Sequence, residues 1–148
     1  MYNIEKILEE WKNEAEIDQL KLDESSRNTA KLHAKYLEMV TKSRLEKRYF
    51  ESQLEMLQSK KYRYYMGRMS VDEINRLGWN VDPTDGVKIL KGEVDHYFKE
   101  DKDLHELSAK IDLIEEIITT LSEIMDTLKW RHQTIKNIIE WTKFTNGV

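Results

Sequence analysis

Cysteine is absent from this chain of 148 residues. Its absence removes disulfides, thiolate metal sites and a cysteine nucleophile, and agrees with a reducing compartment. A single proline and five glycines leave few chain breakers, so the composition favours long helices over turn-rich sheets. No stretch approaches the roughly 18 apolar residues of a membrane span. The acidic, amphipathic start from Met1 to Trp11 lacks the basic and apolar regions of a secretory signal. Phosphate loops, nucleophile elbows and paired zinc-ligand motifs are missing too, so the expectation is a soluble intracellular protein that is not an enzyme and needs no cofactor. The apolar fraction of 39% is low for a large private core and favours burial shared between subunits.

Charge is abundant but unevenly placed. The net charge is −4, which spread evenly argues against a polyanionic partner. Residues 29 to 68, however, hold 10 basic side chains against 4 glutamates, while both flanks are acidic. A segment of that sign suits a polyanion.

Apolar spacing predicts an all-α chain whose long helices form a coiled-coil-like hairpin. Ile4, Ile7, Leu8 and Trp11 mark a short amphipathic helix over residues 2 to 16. A long helix follows, starting near residue 18 or 26 and ending at 65 before Gly67, a candidate left-handed cap. Its inner stripe is interrupted by Lys47 and Lys61. Ser70 and Glu73 have capping-box spacing ahead of a short helix stopped by Gly78. The main loop falls at residues 80 to 86, where the only proline gathers with asparagine, aspartate and glycine. Residues 87 to 98 read as a helix weakened by Gly92.

The last arm, residues 103 to 144, alternates three and four between apolar positions, the pattern of a heptad seam. Leu107, Ile111, Ile114, Ile118, Leu121, Met125, Leu128, Ile135 and Ile139 are the candidate oligomerisation residues. Leu113, Ile117, Ile124, Ile138 and Trp141 form a second stripe beside them, wider than a two-stranded coil needs. The chain then reads as one helical domain over 1–148: a basic arm over 1–68, a short helix and loop over 69–86, and a heptad arm over 87–148.

Lys60, Lys61, Arg63, Tyr64, Tyr65 and Arg68 interleave cations with aromatic rings. Cations release counterions from phosphates, and tyrosine rings offer platforms for unpaired bases, so the cluster suits a single strand. A solvated helix end, with tyrosines packed in the core, fits the same residues. Lys42, Arg44, Lys47 and Arg48 form a second basic set. Lys47 lies on the inner stripe, where it either lines a groove or snorkels outward. Glu93 and His96 have one half of a di-metal helical motif and no second half, so no metal site is expected.

The run Glu16-Ile17-Asp18-Gln19-Leu20-Lys21-Leu22, the basic helix leading to Tyr64-Tyr65-Met66-Gly67, and the ending from Lys129 to Ile138 together resemble the UvsY-type recombination mediators of T-even-type bacteriophages. The resemblance covers nearly the whole chain and is weakest between Arg68 and Lys91. It implies a homo-oligomeric ring of six or seven subunits in the cytoplasm of an infected bacterium. It also implies partners: single-stranded DNA, a phage recombinase and the single-strand-binding protein that the recombinase replaces. Aligned on Tyr64, Tyr65 and Gly67, the family's Lys-x-Arg contact positions fall on Ser59 and Lys61; the spacing recurs two residues later as Lys61-Tyr62-Arg63. The alternative from another class is a helical oligomeric chaperone or scaffold, whose basic patch is merely solvated.

Overall fold

The computed structural model describes residues 1–147; Val148, the last residue of the expected domain, lies outside them. All regular structure among them is helical. The order is α1 (Ile4–Glu14), α2 (Leu22–Tyr65), α3 (Val71–Leu77), a 3-10 turn (Lys91–Glu93), α4 (Val94–Glu100) and α5 (Lys102–Thr145). The helices expected before residue 80 and after residue 103 are present, with ends shifted by a few residues; the one expected over residues 87 to 98 is not helical at 87–90 and becomes an α-helix only from Val94. No helix among the described residues is long and apolar enough to cross a membrane.

Local chemistry sets the helix ends. Asn3 caps α1 by accepting the Lys6 N–H at 3.0 Å, and the Ser70 hydroxyl accepts the Glu73 N–H at 3.2 Å at the start of α3, each satisfying a donor the helix cannot. The ends of α2 and α3 close alike. Gly67 and Gly78 sit at φ near +70°, and the residue after each returns its N–H to a helix carbonyl: Arg68 to Arg63 at 2.8 Å and Trp79 to Ile74 at 3.1 Å. Only a left-handed glycine allows that reversal cheaply. Around Gly92 the weakened pattern becomes the 3-10 turn, where the Glu93 carboxylate accepts the Leu90 N–H at 2.8 Å.

The fold divides into two compact units, with the boundaries inside α2 and α5. The first comprises residues 1–47 and 113–148. Its core gathers Ile7 of α1, Tyr36 and Val40 of α2, and Ile117, Leu121, Ile124 and Leu128 of α5. Trp11 meets Tyr36 edge to face at 5.6 Å, a geometry that adds to simple area burial. Lys35 of α2 ties α1 down through Glu10 at 3.0 Å and through Glu14. Arg131, 6% exposed, donates to the Glu14, Ala15 and Glu16 carbonyls at 3.0, 3.2 and 3.1 Å. A cation is thereby placed against the negative end of the α1 dipole.

The second unit comprises residues 48–112. Tyr64, Met69 and Ile74 form its small apolar cluster, with Tyr65 and Trp79 packed against them.

The candidate seam of α5 is largely consumed inside one chain. Ile111, Ile114, Leu121, Leu128 and Ile135 are all at most 8% exposed, and thus offer no free surface to a second copy. Leu107, Ile118 and Met125 are half-buried, and Ile139 is exposed. The second stripe splits: Ile117 and Ile124 are core, whereas Leu113 and Trp141 are exposed. An apolar heptad cannot by itself tell burial within a chain from burial between chains.

Candidate nucleic-acid interface

The basic end of α2 lies in the second unit, and its residues divide into interior and surface. Lys61 is 4% exposed. Its ammonium lies 2.9 Å from carboxylate oxygens of Asp101 and Asp103 and sits over the Trp79 ring, 3.9 Å from the centroid. A buried ammonium needs such partners, because desolvation of an unpaired charge costs several kcal/mol. The lysine that interrupts the inner stripe is therefore an interior ion-pair residue.

Asp101 joins several elements. It accepts the Tyr65 hydroxyl at 2.6 Å and caps α5 by accepting the Leu104 N–H at 3.0 Å. Burial opposes its charged form, but these hydrogen bonds and Lys61 outweigh it and hold the carboxyl below its ordinary value. For Tyr65, burial first and the Asp101 carboxylate second push the phenol up.

Neither paired tyrosine is a free platform. Tyr64 is 5% exposed, donates its hydroxyl to the Asn80 carbonyl, and packs against Trp79 with ring centroids 4.9 Å apart. Tyr65 is half-buried, between Tyr64 at 5.0 Å and Tyr97 at 5.4 Å. The packed-core reading of these two rings describes their surroundings.

Lys60, Arg63, Arg68 and Arg48 are exposed. Arg63 reaches Glu73 at 3.3 Å while its side chain stays 44% exposed, and the Arg68 guanidinium lies 6.0 Å from the Tyr62 ring centroid. Among the described residues, neither Lys60 nor Arg48 has an ion-pair partner. Glu55, Gln58, Ser59, Tyr62 and Arg63 line a shallow depression on the same stretch of helix.

The remaining basic set belongs to the first unit. Lys42 is exposed and paired with Glu38 one turn back, an ordinary solvated helix pair. Arg44 is exposed. Lys47, half-buried on the inner stripe, reaches outward to Glu115 at 3.5 Å, which is the snorkelling solution.

Three important residues escape the sequence reading. Asp101 is signalled by its place just before a helix, where an aspartate caps well. Tyr49, 59% exposed on the basic helix, and Arg131, beside the seam, have no local signal that marks them. No group of three or more histidine, aspartate or glutamate side chains suited to a metal ion occurs among the described residues.

Fold and surface together define a class: an all-helical protein that carries exposed cations along one long helix. The sequence model of the family described as "Recombination, repair and ssDNA binding protein UvsY" matches residues 10–148, and the chain belongs to that family. Crystal structures of the bacteriophage T4 recombination mediator protein UvsY share the fold. The lattice type II structure is 24% identical, with a TM-score of 0.82 over 99% of each chain. The type IV structure is 22% identical, with a TM-score of 0.80 over 97% of this chain and 99% of that one. Compared directly with curated protein sequences, the chain matches none.

Proposed function

We propose that this protein is a non-enzymatic recombination mediator. It binds single-stranded DNA and promotes loading of a phage recombinase onto strands covered by single-strand-binding protein. The setting is recombination, repair and recombination-dependent replication in the cytoplasm of the infected host. The observation that carries this reading is the set of exposed cations Arg48, Lys60, Arg63 and Arg68 on and just beyond the end of α2, in a chain of the UvsY family. Arg48, Lys60 and Arg68 have no carboxylate partner among the described residues, and Arg63 stays 44% exposed beside Glu73; exposed cations of this kind release counterions on meeting phosphate. Lys42 and Lys47 are a weaker second set, since a phosphate must compete there with Glu38 and Glu115, and the exposed Arg44 lies between them. Lys61, Tyr64 and Tyr65 act through position, fixing the helix end on which the surface cations stand.

The working form is a homo-oligomer, a ring of six or seven copies of a coiled-coil-like hairpin. Residues 1–68 serve as the DNA-binding arm, 69–86 as the connecting short helix and loop, and 87–148 as the oligomerisation arm. Trp130, Trp141 and Phe144 are 70%, 66% and 75% exposed, and rings that large favour burial against another chain. The partly exposed seam residues Leu107, Ile118, Met125 and Ile139 extend the apolar surface open to association. Linked weak sites in one particle bind a long strand far more tightly than one site alone.

The exposed aromatic rings also favour a second reading, a scaffold that holds protein clients. Sedimentation of the particle with a labelled single strand, at several salt concentrations, separates the two. The mediator reading expects a complex that dissolves as salt rises; a particle that ignores the strand at low salt supports the scaffold.

A further inference from the structure

Because Tyr64 and Tyr65 are packed and hydrogen-bonded, the strand-binding surface needs another aromatic platform, and the structure offers one upstream. We infer that Tyr49 is the residue on which an unpaired base stacks, with Arg48 meeting a phosphate beside that base and Lys60 a phosphate further along the strand. This inference rests on the single-strand-binding reading above.

Tyr49 is 59% exposed, whereas Tyr62 is half-buried near the Arg68 guanidinium. Tyr49 is also braced: its ring meets Phe50 edge to face at 5.3 Å, and the Lys110 ammonium lies 4.9 Å from the Phe50 centroid. A ring held in this way loses less freedom when a base settles on it. Stacking is independent of sequence, because every base has a π-face.

Its neighbours complete the surface. Tyr49, Met56 and Arg63 recur at seven-residue intervals on α2 and share one helix face, about 10.5 Å apart along the axis. Met56 is 55% exposed and offers a soft, polarisable contact for a second base. Arg48 adjoins Tyr49, and Lys60 follows Met56 by one turn; neither has an ion-pair partner among the described residues. The exposed basic residues of this stretch, Arg48, Lys60, Arg63 and Arg68, outnumber Glu51 and Glu55, so the complementary occupant is a polyanion. Face-to-face docking of a second copy would set these cations against themselves.

The test compares the parent, Tyr49→Ala and Tyr49→Phe as full-length chains. Each is titrated by anisotropy against a labelled oligo-thymidine and a base-free strand of equal length, with particle mass and helicity measured in parallel. The parent is expected to prefer the strand that carries bases. Tyr49→Ala should bind that strand about 5- to 150-fold more weakly, corresponding to one stacked base. Its affinity for the base-free strand, its salt slope and its mass should be unchanged, and Tyr49→Phe should bind like the parent. Equal binding of oligo-thymidine by parent and Tyr49→Ala overturns the inference and leaves the proposed function standing. An equal loss on the base-free strand, or a changed mass, overturns it too, the latter by marking the face as a contact between copies. A parent that binds neither strand overturns the proposed function, and this inference with it.

Discussion

Lys61 and Asp101 meet inside the protein with Nζ and Oδ2 2.9 Å apart, their side chains 5% and 4% exposed. The pair joins the basic end of α2 to the cap of α5 and, through the Tyr65 hydroxyl, to the aromatic packing around it. A residue whose type and neighbourhood suggest a phosphate ligand is here a structural ion-pair partner.

Removing the carboxylate leaves the ammonium buried with only Asp103 beside it. Asp101→Asn should cost about 3 kcal/mol, the scale of breaking a buried pair on one side. Urea unfolding measures it, and the cost should depend on pH. The Asp101 carboxyl is held below its ordinary value in the fold, so its contribution is present above the unfolded pKa, near 4, and is lost as pH falls through the folded value. The stability gap between parent and variant should therefore narrow below pH 4, and a gap constant from pH 7 to pH 2.5 contradicts this account.

Arg131 makes three hydrogen bonds to the carbonyls that end α1. Arg131→Met keeps much of the side-chain volume but removes those donors, and should lower stability by about 2 kcal/mol. Amide exchange should quicken first in α1. Uniform acceleration across all helices would show that α1 is not separately tethered.

Two kinds of apolar residue on α5 should respond differently. Leu121 is fully buried, and Leu121→Ala should cost about 2–5 kcal/mol through the cavity it leaves. Trp141 and Phe144, stacked at 5.8 Å and exposed, contribute little to the single chain; changing both to serine should shrink the particle while helicity persists. Light scattering beside circular dichroism reads both. An unchanged mass removes these rings from the proposed interface.

Gly78 ends α3 at φ +71°, where a Cβ meets no neighbouring atom within 4 Å. Gly78→Ala therefore isolates backbone strain, expected at about 1 kcal/mol. A neutral thermal shift would mean that the turn relaxes out of the left-handed region.

Much of the fold is legible in the sequence because helix signals are local. Ser70, Gly67 and Gly78 act through their own turns, and spacing marks Ile114, Leu121 and Leu128 of the seam and Ile117 and Ile124 of the second stripe as apolar, but not that Ile117 and Ile124 lie deeper than Ile118 and Met125. The surface was less legible. Lys61 interrupts an apolar stripe, which signals a buried charge, but its partners lie forty or more residues away in sequence. Tyr64 and Tyr49 are the same residue type on one helix, and only tertiary packing makes one 5% and the other 59% exposed. Likewise, the seam reads as apolar in either setting, and the chain's own α1 and α2 cover part of it.

The central claim is that exposed cations of α2 meet the phosphates of a single strand. Its most direct test is the salt dependence of single-strand binding by the parent and by a triple variant, Arg48→Ala, Lys60→Ala and Arg63→Ala, measured by fluorescence anisotropy. Each lost phosphate contact should flatten the plot of log affinity against log salt by about 0.7, so the triple variant should bind more weakly and its slope should be smaller by about 2. Equal affinity and equal slope in parent and variant, with helicity intact in both, would contradict the account.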